Sequence, residues 1–132
     1  MAATDTATDR EAITDTVQLY IDGSSAGDVA KLKEAFHEQA WMFGSLGGQR
    51  VDLPIGQMFD MVAAQPMNAG GNYSARVTSV EQVGDVATAT LEEAGCWGAV
   101  SFIDIFALAR IDGSWKIVNK VFAHTGGEMP TA

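Results

Sequence analysis

Cysteine is almost absent: Cys96 is the single thiol in 132 residues, so no internal disulfide framework is available. Basic residues are scarce as well. Eight Lys and Arg stand against seventeen Asp and Glu, for a formal net charge of −9. Nucleic acids and anionic membrane surfaces select for clustered Lys and Arg; no such cluster occurs, and neither is expected as a partner. Histidine appears twice, at His37 and His124, without the spacing of a zinc or iron ligand set. No phosphate loop, dinucleotide fingerprint or Ser-His-Asp ordering is present. Neither metal nor cofactor is expected. No apolar run is long enough to span a bilayer, and the N-terminal MAATDTATDREA lacks an apolar signal core. The expectation is a soluble, cytoplasmic protein without a membrane partner.

What is present is apolar content for one core. At 47% hydrophobic residues, a chain of this length buries a single substantial interior. One domain is expected over residues 9–126, between a polar N-terminal tail, 1–8, and a C-terminal tail, 127–132. Thr8 to Glu11 fits a capping box, Thr-x-x-Glu, opening a helix with Ile13, Val17, Tyr20 and Ser24 on one side. Gly27 and Asp28 end that helix and start a shorter one, with Val29, Leu32 and Phe36 inward and His37 at its end. AWMFGSLGGQRV reads as two short strands around a Gly47, Gly48 turn. In DLPIGQMFDMVAAQP, Ile55, Met58, Phe59 and Val62 recur at helical spacing between two prolines, which predicts a third helix. Four strands follow from Tyr73. Gly84, Asp85 and Asp112, Gly113 mark hairpin turns, and Gly95 to Gly98 a bend. Helices first and an antiparallel sheet after them is an α+β arrangement.

The stretch SFIDIFALARIDG, residues 101–113, alternates like a strand and carries one carboxylate between two apolar faces. A buried carboxylate must be hydrogen-bonded, protonated, or at the edge of a polar cavity. A two-residue turn at Asp112 and Gly113 pairs Leu108 with Ile117, Phe106 with Asn119 and Asp104 with Val121. Asp104 and Asn119 then share the helix-covered face, either as pocket groups or as a structural pair. Ile103, Ile105, Ala107, Val118, Lys120 and Phe122 fall on the opposite face. That face is too apolar for water alone and suggests a homodimer formed through it.

The run VQLYIDGSSAGDVAKLKEAFHEQAWMFG, the F-x-D-x-F of FIDIF and the closing DGSWKIVNKVF resemble the NTF2-like, cystatin-like α+β superfamily, and within it the SnoaL-like and lumazine-binding group. The resemblance implies three N-terminal helices packed on a strongly curved antiparallel sheet, a cone whose wide end is a pocket, usually dimeric. Ketosteroid isomerase shares this superfamily, and it uses a carboxylic acid kept neutral beside a tyrosine. By that likeness its tyrosine falls on Tyr20 and its acid on Asp104, while its general base falls on Gly44, which can move no proton. A base would have to come from His37, Glu38 or Glu92.

The superfamily hosts many activities, so two functional classes are carried forward. The first is a homodimeric protein whose conical pocket binds a small, largely apolar, ring-containing molecule. Met42, Met58, Phe59, Trp97, Phe102 and Phe106 would form its wall, with Tyr20, Asp104 and Asn119 as polar contacts. The second is an enzyme of the isomerase, cyclase or dehydratase kind, with Tyr20 and Asp104 as oxyanion donors and His37 transferring protons. Each candidate also has a structural reading: Tyr20 as a packed aromatic, His37 as a helix cap, the methionines as core filling. Cys96, without a basic neighbour, reads as an inert thiol.

Overall fold

The computed structural model describes residues 6–128; the remaining tail residues, 1–5 and 129–132, lie outside this range. Helix α1 (Thr6–Ala26) is already helical at Thr6, so Thr8 and Glu11 sit inside it rather than capping its start. Ile13, Val17, Tyr20 and Ser24 recur at helical spacing and are all buried. Gly27 ends the helix at φ 70, and a Cβ there would stand 2.7 Å from the Val62 carbonyl oxygen. Asp28 caps α2 (Val29–Ala35), its carboxylate accepting from the Lys31 N–H at 3.3 Å.

Strands β1 (Phe36–Leu46) and β2 (Gln49–Pro54) form the first hairpin, and α3 (Ile55–Ala64) follows directly. Ile55, Met58, Phe59 and Val62 are its buried stripe. A short 3-10 turn (Met67–Gly70) leads to β3 (Ser74–Val83), β4 (Val86–Cys96), β5 (Val100–Ile111) and β6 (Ser114–Gly126). At the β5–β6 turn Asp112 and Gly113 both have positive φ, 51 and 84, as a type I′ turn demands. No helix among the described residues is long and apolar enough to cross a membrane.

The strands form one curved, open sheet in the order β2-β1-β6-β5-β4-β3. Every neighbouring pair is antiparallel except β1 and β6, which run parallel, so the all-antiparallel expectation fails at that one seam. The helices cover the inner face. Thr16 of α1 donates to the Trp115 carbonyl at 3.1 Å, and Tyr20 packs edge-on against Phe106 with centroids 5.0 Å apart.

Register departs from the simple hairpin count within β6. Leu108 pairs with Ile117 as expected, but Ala107 pairs with Asn119, Phe106 with Lys120 and Asp104 with Phe122. Val118 is therefore a bulge residue, and the strand beyond it changes face. Lys120 and Phe122, expected outside, point inward, while Asn119 and Val121 point outward. Beside this bulge β1 also leaves the ladder, between Phe36 and Trp41.

Replacing Gly27 by Ala forces a left-handed backbone on a residue with a Cβ and drives that atom into α3. The expected cost is about 1–2 kcal/mol or more, read as a lower urea midpoint at unchanged slope.

Candidate functional site

Between α3 and the inner sheet face lies an apolar cavity of about 110 Å³. Met42 and Leu46 of β1 with Val51 and Leu53 of β2 form one wall, and Met58 and Met61 of α3 another. Met67 and Trp97 close a third side, and Phe102, Lys120 and Phe122 reach it from the sheet. Trp97 is held firmly. Its backbone sits at φ 52, a strained conformation for a non-glycine residue. Its backbone N–H donates to Met67 O and its indole N–H to Gln65 O, each at 2.8 Å.

Lys120 is the one charged residue lining this cavity, and it is 4% exposed. Its Nζ lies 5.1 Å from the Tyr20 ring centroid and 5.2 Å from that of Phe122, a cation held between two π faces. Behind it is a buried polar cluster. Glu93 on β4 and Asp104 on β5 are diagonal neighbours on the inner face, because Leu91 pairs with Asp104 and Glu93 with Phe102. They are 3% and 0% exposed. The Tyr20 hydroxyl stands 3.4 Å from Glu93 Oε1 and 3.4 Å from Asp104 Oδ2, and the Tyr73 hydroxyl donates to Glu93 Oε2 at 2.6 Å.

Two carboxylates in such a space cannot both stay ionised. Burial first, then the Asp104 charge and a hydrogen bond with Asp104, hold the Glu93 carboxyl well above the ordinary carboxylate range; Lys120 and the Tyr73 bond pull the other way. We place one proton in the pair, on Glu93. Asp104 Oδ1 is buried and has no hydrogen-bond partner among the described residues. Burial, then the Asp104 and Glu93 charges, push the Tyr20 hydroxyl up. Burial and Glu93 do the same to Tyr73, so both phenols remain donors. The Cys96 thiol is likewise pushed up by burial, which fits an inert thiol.

The family model described as "Putative lumazine-binding" matches residues 8–123. The chain belongs to this family. An NTF2-like protein of unknown function from Methylobacillus flagellatus KT is 31% identical with a TM-score of 0.83, over 95% of this chain and 98% of that one. A second NTF2-like protein of unknown function, from Shewanella baltica OS155, is 24% identical with a TM-score of 0.82, over 98% and 100%. Aldolase FrzH of Cladobotryum sp is 25% identical over 122 residues, 92% of this chain and 96% of that relative.

On this NTF2-like frame the expected site residues divide. Met42, Met58, Trp97 and Phe102 line the cavity. Tyr20 and Asp104 come together, but in the cluster behind Lys120 rather than in the cavity wall. Phe59 and Phe106 belong to the aromatic core, each edge-on to Phe36 or Tyr20. Asn119 is on the outer face because of the Val118 bulge. His37 lies where β1 leaves the ladder, accepts from the Gln39 N–H at 3.1 Å, and lines a shallow surface groove with Lys33 and Lys116. Glu38 is exposed, and exposed Glu92 pairs with Arg76 at 3.0 Å. His124 Nδ1 accepts from the Gly47 N–H at 3.1 Å. A Cβ on Gly44 would stand 2.5 Å from Phe122 O and 2.6 Å from its ring, so Phe122 fills the space a base would need. Glu93 and Lys120 were missed. Glu93 shares strand parity with Ala87, Ala89 and Leu91, a legible signal; Lys120 depends on the bulge and has none.

A stability measurement tests the shared proton. The folded state keeps the Glu93 proton at pH values where an unfolded glutamate, near 4.5, has lost it. That contribution is complete below the unfolded value and disappears as pH rises through the folded one. Glu93→Gln removes the titration and keeps a neutral donor. Urea melts between about pH 4 and 8 should show the variant gaining on the wild type as pH rises, by at most about 1.4 kcal/mol per pH unit. A difference that does not change with pH would place the proton elsewhere.

Proposed function

We propose that this protein binds a small, largely apolar, ring-containing molecule in the cavity between α3 and the inner sheet face. The observation that carries this reading is the wall itself. Apart from Lys120 and Gln57, every lining residue is apolar, and four are methionines, whose unbranched side chains adapt to a ligand's shape. The volume, about 110 Å³, is somewhat below the roughly 150 Å³ apolar cavity that accommodates benzene, so one ring enters as the methionines adjust. The test is methyl NMR of protein carrying labelled methionine. Toluene should shift the resonances of Met42, Met58, Met61 and Met67 in a saturable way, and Leu53→Trp, which fills the cavity, should abolish the shifts. Unmoved methyls in the wild type would refute ligand entry.

A second reading, an enzyme of the isomerase, cyclase or dehydratase kind, is favoured by the proton held on Glu93 and by the relative named an aldolase. It asks more of Tyr20 than the pocket reading does, because that hydroxyl already stands between Glu93 and Asp104 and does not line the cavity.

The protein acts as a homodimer in this proposal. Trp41, Ile103, Ile105 and Val121, 38%, 37%, 46% and 41% exposed, lie on the adjacent strands β1, β6 and β5 and form one apolar patch on the outer face. A second copy, applied sheet to sheet, would cover it. Ile105→Glu places unpaired charge in that interface. Light scattering should give a dimer for the wild type and monomer or aggregate for the variant; a wild-type monomer at micromolar concentration would defeat the assignment.

A further inference from the structure

Three features remain outside the ring-binding reading: the His124 tie to the Gly47 turn, the Arg110 cluster and Lys120. His124 Nε2 lies 2.6 Å from Gly127 O while Nδ1 accepts from Gly47, which fastens the β1–β2 turn to the end of β6. Arg110 joins Asp9 and Asp85 at 2.8 Å each and lies 5.1 Å from the Trp115 ring centroid, a tie of α1 and the β3–β4 turn to β5. Both are structural fastenings. Lys120 is different, because it has donors and nothing adequate to receive them.

An ammonium carries three N–H donors. Among the described residues the hydrogen-bond acceptor of Lys120 is Met58 Sδ at 3.9 Å, a thioether and a weak acceptor. No ion pair of Lys120 occurs among the described residues. The Tyr20 and Phe122 rings attract its charge through their faces, but they do not replace an oxygen. The residue is nevertheless 4% exposed and forms part of the cavity surface. A buried cation with unused donors, set in an apolar wall, is costly unless a ligand completes it.

We propose that the cavity selects a monocyclic compound bearing one anionic oxygen, a carboxylate, phenolate or enolate, and that Lys120 receives that oxygen. This deepens the ring-binding reading and rests on it. The ring occupies the methionine-lined space, and the oxygen points toward the sheet. There it takes the Lys120 N–H donors that Met58 satisfies poorly. Lys120 is 4% exposed, so the charge-assisted bond is stronger than at a surface. The same arrangement would stabilise negative charge on an enolate oxygen, which is what an enzyme working on a carbonyl compound would require.

The experiment compares benzoate, its uncharged counterpart benzamide, and toluene by isothermal titration on the wild type and on Lys120→Met, which keeps a long apolar side chain. The wild type should bind benzoate about tenfold or more tightly than benzamide, and Lys120→Met should lose that preference while holding toluene within about threefold. Toluene binding also reports whether the variant retains a formed cavity. Should the variant fail to fold, the benzoate and benzamide comparison on the wild type still decides. Toluene binding with benzoate no tighter than benzamide would overturn the role of Lys120 and leave the ring site standing. Binding of none of the three would overturn both. Preference for benzoate that persists in a folded Lys120→Met would move the anion contact to another residue.

Discussion

Because β6 pairs Ile117 with Leu108 but Asn119 with Ala107, Val118 has no partner across the strand, and the residues beyond it change face. Most of the site follows from that one extra residue. Lys120 turns into the cone between Tyr20 and Phe122, and Phe122 turns in against Gly44, where any side chain would collide with it. Asn119 turns out. The parallel neighbour β1 departs from the ladder over the same stretch, between Phe36 and Trp41, which carries His37 to the surface. Without the bulge, the inner face would hold an amide where it now holds a cation.

The interior that results is expensive for a chain of 132 residues. Asp104, Glu93, Lys120, Tyr20 and Ser24 are all buried, and replacing such groups by well-packed apolar ones is often neutral or stabilising. Protonation of Glu93 reduces the cost by removing one of two like charges. Aromatic faces reduce it again at Lys120. The remaining groups stay bonded in a line from Tyr73 through Glu93 and Tyr20 to Asp104. Such a line holds a proton in place.

This arrangement also separates the protein from the acid–base chemistry that its tyrosine and strand carboxylate resemble. The likeness would put a side-chain base at Gly44, and there the Phe122 ring occupies the space that such a side chain would need. What faces the cavity is a cation rather than a pair of neutral donors. The cavity wall is methionine and aromatic side chains with Lys120 among them, and the carboxyl pair lies one layer deeper. The proposed recognition of a negatively charged or negatively polarised oxygen rests on that order of groups.

The elements and their sequence were legible because they rest on local chemistry. The helical spacing of Ile13, Val17, Tyr20 and Ser24, the Gly27–Asp28 break, the stripe of α3 and the Asp112–Gly113 turn depend on neighbours a few residues apart. All are found as read, apart from the helix start, which precedes the expected Thr8–Glu11 box. Burial of Asp104 followed from the same logic, since its strand neighbours Phe102 and Phe106 left no polar face for it. Its partners did not. Glu93 lies on another strand, and only the β4–β5 register makes it a diagonal neighbour of Asp104. Strand parity from Trp115 and Ile117 puts Lys120 outward, and a bulge is set by how a curved sheet must bend under three helices rather than by any residue in WKIVNK. The chain by itself determined its helices, turns and the carboxylate that must be buried; only the packed sheet decided which charges meet it, because facing is a property of register, and register is settled between strands.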